Sequence, residues 1–329
     1  MIRTRGIVIT RPGEVELQEI ALPDPLPGDV VTRTLYSGIS VGTERHYISG
    51  AYADMGQDVP ANYPYVTGYQ RCAVVEQVGS EVEGLSPGDL VILGRTRLAD
   101  PRFRGAAGHT GYGVTDARDV YRLPDGVNPE EAALWVMTGV GLHGSRLSRV
   151  KAGDTVAVIG LGMIGQMAAQ AARRLGATVI ASDTSELRVR LGEASADHLF
   201  HGTAEEFADH VQGRYPDGVD VVADTGSKVS VWDTCMRVVR REGTINLQGY
   251  YPGAFTIDSY AAHVHRVTAV CPSGYDDPAT IAEALGSGDF RIAPLITHRF
   301  PASDTRLAYH TVMHAPWEMV GGIIDWTGE

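Results

Sequence analysis

Gly160-Leu161-Gly162-Met163-Ile164-Gly165 follows an apolar run, Asp154–Ile159, and opens an Ala-rich stretch, Ile164–Leu175, that ends at Gly176. This is G-x-G-x-x-G in the strand-to-helix context that gives the pattern meaning. Gly160 permits a tight turn, Gly162 lets the backbone approach a pyrophosphate, and Gly165 lets the helix pack close to the strand. The free N–H groups of the first helical turn, Met163 and Ile164 among them, then face the phosphates together with the positive end of the helix dipole. Asp183 stands 18 residues after Gly165, closing the next extended run beside Thr184. A carboxylate there accepts hydrogen bonds from a ribose 2′-OH and repels a 2′-phosphate, so the expected cofactor is NAD(H) rather than NADP(H). Arg188 lies five residues further on, where the following helix is expected, and is counted with the same site. The alternative is a glycine-rich turn with no ligand.

These residues need a scaffold, and the chain supplies two kinds. Its first 125 residues carry short β-branched or apolar runs, such as Val30–Leu35, Cys72–Val78 and Leu90–Leu93, bounded by turn signals at Pro27-Gly28-Asp29 and Pro87-Gly88-Asp89. That spacing predicts a small β-barrel or sandwich. From Pro129 the pattern alternates. Helices are expected over Pro129–Val140, Val140–Arg149, Ser185–Glu193 and Val229–Arg240, with strands over Thr178–Ala181, Val219–Ala223 and Thr244–Leu247. Apolar strands alternating with helices predict a parallel sheet covered on both faces. Beyond that, Ala279–Leu285 and Asp304–Met313 read as helical and Ile292–Phe300 as partly extended, while His263-Val264-His265 alternates like a strand. Two histidines without a third ligand are weak grounds for a metal site there.

Length and composition agree with two domains. The chain has 329 residues, 43% hydrophobic and 21% charged, enough apolar material for two cores. A formal net charge of -12 repels nucleic-acid phosphates and anionic lipid alike, so neither partner is expected. Met1–Thr10 lacks the apolar stretch of a signal peptide, and no apolar run approaches the roughly 20 residues that cross a bilayer. A cytoplasmic location follows as the expectation. Cys72, Cys235 and Cys271 are widely spaced, read as small hydrophobes, and predict no disulfide.

The order of several short markers resembles the medium-chain dehydrogenase/reductase family over nearly the whole chain. They are Pro27-Gly28-Asp29-Val30, Tyr36-Ser37-Gly38-Ile39-Ser40, Gly68, Pro87-Gly88-Asp89, Val150-Lys151-Ala152-Gly153-Asp154, and Leu295-Ile296-Thr297-His298 followed by Asp304–Tyr309. The resemblance implies a GroES-like β-rich catalytic domain over residues 1–135, a Rossmann domain over 136–271 and a return segment over 272–329 that completes the first domain. It also places Gly226 on the adenosine side of the cofactor, and Gly249 and Tyr250 at its nicotinamide half, with Tyr251 within reach of substrate. Family members often pair through the sheet edge, so a homodimer is expected.

Within that family, zinc alcohol dehydrogenases hold a catalytic metal by a Cys, a His-Glu pair and a later Cys or acid. The corresponding positions here are Ser40, Tyr69-Gln70 and, nearby, Trp135, and the four-cysteine structural lobe has no counterpart in Leu90–Tyr112. No zinc is therefore expected. Among zinc-free members, Ser37-Gly38-Ile39-Ser40-Val41-Gly42-Thr43-Glu44-Arg45 and Tyr63–Tyr69 look most like the bacteriochlorophyllide a dehydrogenase group, which implies interconversion of a secondary alcohol and a ketone. Without a Lewis acid, the oxygen that gains charge needs a protein donor. Tyr69 and Ser40 are the candidates, unless they merely fill the vacated space. Thr43 can relay a proton, and Glu44 can orient a donor or join a local network with Arg45. Trp135, His109, Tyr251 and His46 are candidate substrate contacts: Trp135 as a pocket wall and His109 from a glycine-rich stretch, Gly105–Gly111, that reads as a flap or a plain surface loop. The alternatives to a ketone reductase are a zinc-free enoyl or quinone reductase and a dinucleotide-binding protein without turnover.

Overall fold

The computed structural model describes residues 1–51, 63–226, 228–251, 254 and 256–329. They cluster into two compact units: Met1–Trp135 with Pro278–Ser287 and Ile296–Glu329, and Val136–Asp277 with Gly288–Leu295. The return to the first unit thus starts at Pro278 and is interrupted, because residues 272–277 and 288–295 cluster with the second unit.

In the first unit, β1 (Ile2–Arg11) pairs antiparallel with β2 (Glu14–Leu22) and β4 (Tyr65–Val66). The larger sheet is built on β3 (Asp29–Ile39), whose flanks are β5 (Arg71–Val78) and β7 (Tyr112–Asp116), both antiparallel to it. Beyond β5 lie β6 (Leu90–Leu93) and β8 (Tyr121–Arg122). On the β7 side, further along the strand, β3 meets β16 (Gly321–Asp325), which pairs in parallel with β15 (Ile296–Pro301). The chain's last strands therefore lie beside the strand that leads to Ser40. Helix α1 (Val41–Ser49) ends at Gly50, whose φ of 77° gives the left-handed cap a side chain would resist. It packs with a helix of the return segment, Thr305–His314, over a core of Ile7, Ile9, Ile39, Ile48, Val312 and Ile324.

Next in the chain come the short helix α2 (Pro129–Ala132), in the first unit and capped by the Asn128 side chain, and α3 (Trp135–Leu147), which from Val136 on belongs to the second. In the second unit a parallel sheet takes the order β11-β10-β9-β12-β13-β14, made of His198–His201, Thr178–Asp183, Thr155–Ile159, Val219–Asp224, Val239–Leu247 and Thr268–Val270. Its central strands, β9, β10 and β12, are mostly apolar and buried because helices cover both faces: α4 (Met163–Arg174), α5 (Glu186–Leu191), α6 (Ala204–Arg214), α7 (Val231–Val238) and α8 (Ser259–His265). The return segment carries α9 (Pro278–Gly286) and α10 (Thr305–His314). The architecture is a GroES-like domain plus a Rossmann domain, as the α/β alternation and the turn-rich start predict.

Several local expectations need correction. His263-Val264-His265 is the last turn of α8, which Asp258 caps by accepting the Ala261 N–H, so the alternation there is not a strand. The helix expected over Val229–Arg240 is shorter, since β13 starts at Val239. The run Ile292–Phe300, by contrast, is partly extended as expected: a 3-10 turn, Ala293–Leu295, leads into β15. β11 and α6 lie in a stretch that periodicity leaves silent, yet a signal was present. Thr203 and Glu206 form a reciprocal capping box, the Thr203 hydroxyl taking the Glu206 N–H and the Glu206 carboxylate taking the Thr203 N–H. Thr203→Ala is expected to lower the unfolding free energy by about 1 kcal/mol in urea titration, the usual loss for a removed N-cap.

Candidate functional site

Chain order reverses in the second sheet between β9 and β12, and doubly wound sheets place ligands at that point, beyond the carboxyl ends of the strands. The glycine-rich turn lies there. Gly160 has φ 93°, and a Cβ on Gly165 would overlap the Gly160 carbonyl oxygen, so neither position tolerates a side chain. Gly162 is the N-cap of α4 without a side-chain cap bond, which leaves the first-turn N–H groups of Met163 and Ile164 without intrahelical acceptors. Thr225, after β12, donates its hydroxyl to the Gly160 carbonyl at 3.0 Å and so ties the turns after β9 and β12 together.

Asp183 ends β10 with its carboxylate turned back onto this turn. Oδ2 accepts the Leu161 N–H and Oδ1 the Ser185 N–H, each at 2.8 Å. Four lone-pair positions with two in use leave room for hydroxyl donors. Arg188 sits on α5 with Nη1 3.7 Å from Asp183 Oδ2, and it reaches toward Gly162. Thr184 is exposed, and its carbonyl accepts from His201 Nε2. Gly226 and Gly249 follow β12 and β13. Sequence reading missed Asp224, the residue that joins them. Its buried carboxyl accepts the Gly226 N–H and the Tyr251 hydroxyl, and burial raises its pKa. Tyr251 spends its phenol on that bond, inside the second unit, rather than presenting it to a substrate. Tyr250 beside it is 39% exposed.

The first unit gathers the other candidates. Ser40 is the N-cap of α1, but its hydroxyl makes no cap bond; the Glu44 carboxylate takes the Ser40 N–H instead, at 2.8 Å. An anion at that helix end also meets the positive end of the dipole. Tyr69, half-buried, turns its phenol to Thr43 Oγ1 at 3.4 Å and is hydrogen-bonded by the Ser40 side chain as well. Burial pushes the phenol up to about 12; the Ser40 and Thr43 bonds oppose that shift and the Glu44 charge adds to it. His46 lies one turn along α1, with Nδ1 on the Gly42 carbonyl at 2.6 Å.

Glu44 is 1% exposed and His109 is 0% exposed. Glu44 Oε1 accepts the Ser40 N–H and His109 Nε2 at 3.2 Å, while Oε2 accepts the Thr67 hydroxyl at 3.3 Å and the Tyr309 hydroxyl. All four acceptor positions are filled by donors, which only the ionised carboxylate can satisfy. Burial alone would raise its pKa, but the charge and hydrogen bond of His109, then Tyr309 and Ser40, outweigh it and hold the acid below its usual value. Burial beside that carboxylate drives the Tyr309 phenol well above its ordinary range.

Behind it, His109 Nδ1 pairs with Ser37 Oγ at 2.7 Å, and Ser37 Oγ accepts the Trp326 indole N–H at 2.8 Å. Arg71, fully buried, donates to Thr34, to Thr110 next to His109, and to the Arg95 carbonyl, in space that Gly113 leaves open. Gly68 has φ 84°, and a Cβ there would meet the His109 ring at 2.5 Å.

The structure thus brings Ser40, Thr43, Glu44, Tyr69 and His109 together and revises three readings. Residues Ala107–Gly111 are buried, so that stretch is neither a flap nor a surface loop, and His109 faces Glu44 rather than a substrate. Arg45 is exposed and is not among the four donors to Glu44. Trp135, expected as a pocket wall, is 2% exposed and packs near Gly94 behind the Tyr69 backbone, with almost no surface to present. Thr67, Ser37, Tyr309 and Trp326 went unassigned in sequence. Ser37 and Tyr309 do stand inside quoted markers, but nothing local shows that they converge.

Residues 26–125 match the alcohol dehydrogenase GroES-like domain, and residues 164–287 match the zinc-binding dehydrogenase domain. The sorbitol dehydrogenase of Macaca fascicularis is 30% identical over 332 residues, covering 93% of this chain and 92% of that enzyme. The chain belongs to the zinc-type alcohol dehydrogenase-like branch of the medium-chain dehydrogenase/reductases. Medium-chain dehydrogenase/reductases are oxidoreductases, and solved structures share this fold. An oxidoreductase/dehydrogenase of unknown specificity from Escherichia coli superposes with a TM-score of 0.87 at 24% identity, covering 98% of this chain and 99% of its own. A zinc-binding dehydrogenase from Sinorhizobium meliloti 1021, bound to NADP, gives 0.84 at 23%, covering 99% and 100%. Among the described residues, no helix is long and apolar enough to cross a membrane.

Removing the carboxylate from this medium-chain dehydrogenase/reductase orphans four buried donors. Glu44→Ala should therefore destabilise the protein by about 3 kcal/mol at pH 7. A depressed folded-state pKa gives stability that is complete above the unfolded value and lost as the pH falls through the folded one. The gap between wild type and variant in urea unfolding should accordingly narrow below the ordinary glutamate range and hold steady above it.

Proposed function

We propose that the chain is an NAD(H)-dependent oxidoreductase acting between a secondary alcohol and its ketone, with Tyr69 as proton donor where relatives use zinc. The observation that carries this reading is the Tyr69 phenol, half-buried, kept protonated, and bonded to the hydroxyls of Ser40 and Thr43.

When bound, NADH supplies the hydride that turns the carbonyl carbon into an alkoxide. Tyr69 gives its proton to that oxygen. An alkoxide is a much stronger base than a phenolate, so a phenol raised to about 12 still transfers its proton downhill. Ser40 and Thr43 then stabilise the phenolate and return a proton to it from water, and oxidation of the alcohol runs the same path backward. Gly160, Gly162, Met163, Ile164 and Gly165 would hold the pyrophosphate, and Asp183 and Thr184 the adenosine ribose. Gly226, Gly249 and Tyr250 would flank the rest of the cofactor. Asp183 favours NAD(H); Arg188 beside it is the feature that would serve a 2′-phosphate.

A zinc ion does not fit the residues in question. Ser40, Tyr69 and Trp135 offer a hydroxyl, a phenol and an indole. The nearby carboxylate and imidazole are committed, since each oxygen of Glu44 and each ring nitrogen of His109 has a partner. Among the described residues no three His, Cys, Asp or Glu side chains are grouped to hold a metal. The same reading takes the chain as a cytoplasmic homodimer acting on a small-molecule substrate, with no nucleic-acid or membrane partner. Strand β14, at the sheet edge with Thr268 and Ala269 exposed, supports pairing, and the mass in solution is the check.

Fluorescence titration should show NADH binding more tightly than NADPH, with Asp183→Ala weakening NADH by about ten-fold and erasing the preference. Tighter NADPH binding by the wild type would move the reading to an enone reductase. Tyr69→Phe, assayed on 2,3-butanediol, sorbitol and cyclohexanol with NAD⁺, should lower kcat at least about 100-fold with NADH affinity unchanged. Near-normal turnover would reduce Tyr69 to packing, and a full equivalent of zinc in the purified protein would overturn the metal-free mechanism.

A further inference from the structure

His109 is an imidazole sealed from solvent in the first unit, with both ring nitrogens spent on other side chains. It cannot touch a substrate, and core packing alone does not call for a ring bonded at each end. Its partners explain it better. Ser37, itself held by the Trp326 indole, bonds one nitrogen, and the other meets the carboxylate that binds the Ser40 N–H and the Thr67 hydroxyl.

Ser40 begins α1, and Thr67 lies two residues before Tyr69. Glu44 is therefore a clamp between the two segments that carry the proposed donor and its hydroxyl partner. The His109 ring also stands against Gly68, in the middle of the Thr67–Tyr69 turn, closely enough that a Cβ there would collide with it.

We propose that His109 is a positioning residue for the proton-transfer site, keeping Glu44 ionised and seated so that Ser40 and Tyr69 stay within hydrogen-bonding distance. The inference rests on the reading of Tyr69 as donor. Tyr309, from α10, is the second support of the clamp, on the other carboxylate oxygen. The titratable groups facing Glu44 are His109 from the loop before β7, Tyr309 from α10, and Tyr69 from the turn before β5. On α1 and α10 themselves, Arg45, Arg306 and His310 are exposed.

Loss of one donor leaves the buried carboxylate under-solvated, and a protonated Glu44 must donate where it now accepts. The site would then come apart at a pH where the wild type is intact.

The test compares wild type, His109→Ala, His109→Gln and Tyr309→Phe. Infrared difference spectra against Glu44→Gln follow the protonated-carboxyl band of Glu44 with pH, with no substrate required. The same proteins are then assayed for kcat against pH on whichever of 2,3-butanediol, sorbitol or cyclohexanol the wild type turns over. The Glu44 band should appear at least about one pH unit higher in His109→Ala than in wild type, shift less in Tyr309→Phe, and return toward wild type in His109→Gln, whose amide can still donate. kcat should fall at acid pH in His109→Ala, beginning at least about one pH unit above where the wild type falls, and recover toward pH 8, with NADH affinity unchanged.

An unmoved carboxyl band, or a kcat loss equal at every pH and unrescued by His109→Gln, would overturn the proposal. Tyr309→Phe keeps the question answerable if His109→Ala does not fold. Failure of the underlying reading looks different: Tyr69→Phe would remain active whatever His109 does.

Discussion

A carboxylate taken out of water has to be met by donors on every side, and in this chain that demand organises the first unit. Glu44 is met by a backbone N–H, an imidazole, a hydroxyl and a phenol. They come from the start of α1, the loop before β7, the turn before β5, and α10. None of these segments can shift without orphaning a charge, which costs several kcal/mol in a buried site. The neighbouring bonds extend the constraint. Ser37 joins His109 to Trp326, and Arg71 fastens Thr110 beside it, so the loop that carries the imidazole is held from two directions.

The two units use unlike means to position reactive groups. In the second, backbone geometry does the work: glycines with no room for Cβ, an uncapped helix start, and strand ends gathered at a reversal of order. In the first, side chains do it, through hydrogen bonds whose members are distant in sequence. This difference accounts for what sequence alone could reveal. The dinucleotide turn is a contiguous motif whose spacing carries its physics, so Gly160, Gly162, Gly165 and Asp183 could be named from the chain. The alternation of apolar strands and helices gave the Rossmann domain for the same reason, since its period is local.

The Glu44 cluster has no local period. Thr67, His109 and Tyr309 are separated by 42 and 200 residues, and long-range contacts bring them together: the His109 N–H donates to the Thr67 carbonyl, and α10 packs on α1. A glycine-rich stretch such as Gly105–Gly111 reads as exposed because its composition is that of loops. Its Ala107–Gly111 part is buried because Gly108 and His109 pack against the Gly68–Tyr69 backbone, and composition contains nothing about that partner. Trp135 was misread for a related reason: its place near a ligand position says where the backbone runs, whereas packing beside Gly94 decides which way the indole faces.

The discontinuity of the first unit has a consequence for how the protein comes into being. Tyr309 and Trp326 lie beyond the whole of the second unit, so a ribosome delivers them after it. Until then Glu44 lacks one of its donors and His109 lacks the indole that anchors Ser37. The second unit's strands and helices are contiguous apart from Gly288–Leu295, and can form while the first waits with an incompletely satisfied charge at its centre. Completion of the Glu44 cluster therefore waits on Tyr309, and a product cut short before that residue would keep the dinucleotide turn but lose one donor to the buried carboxylate.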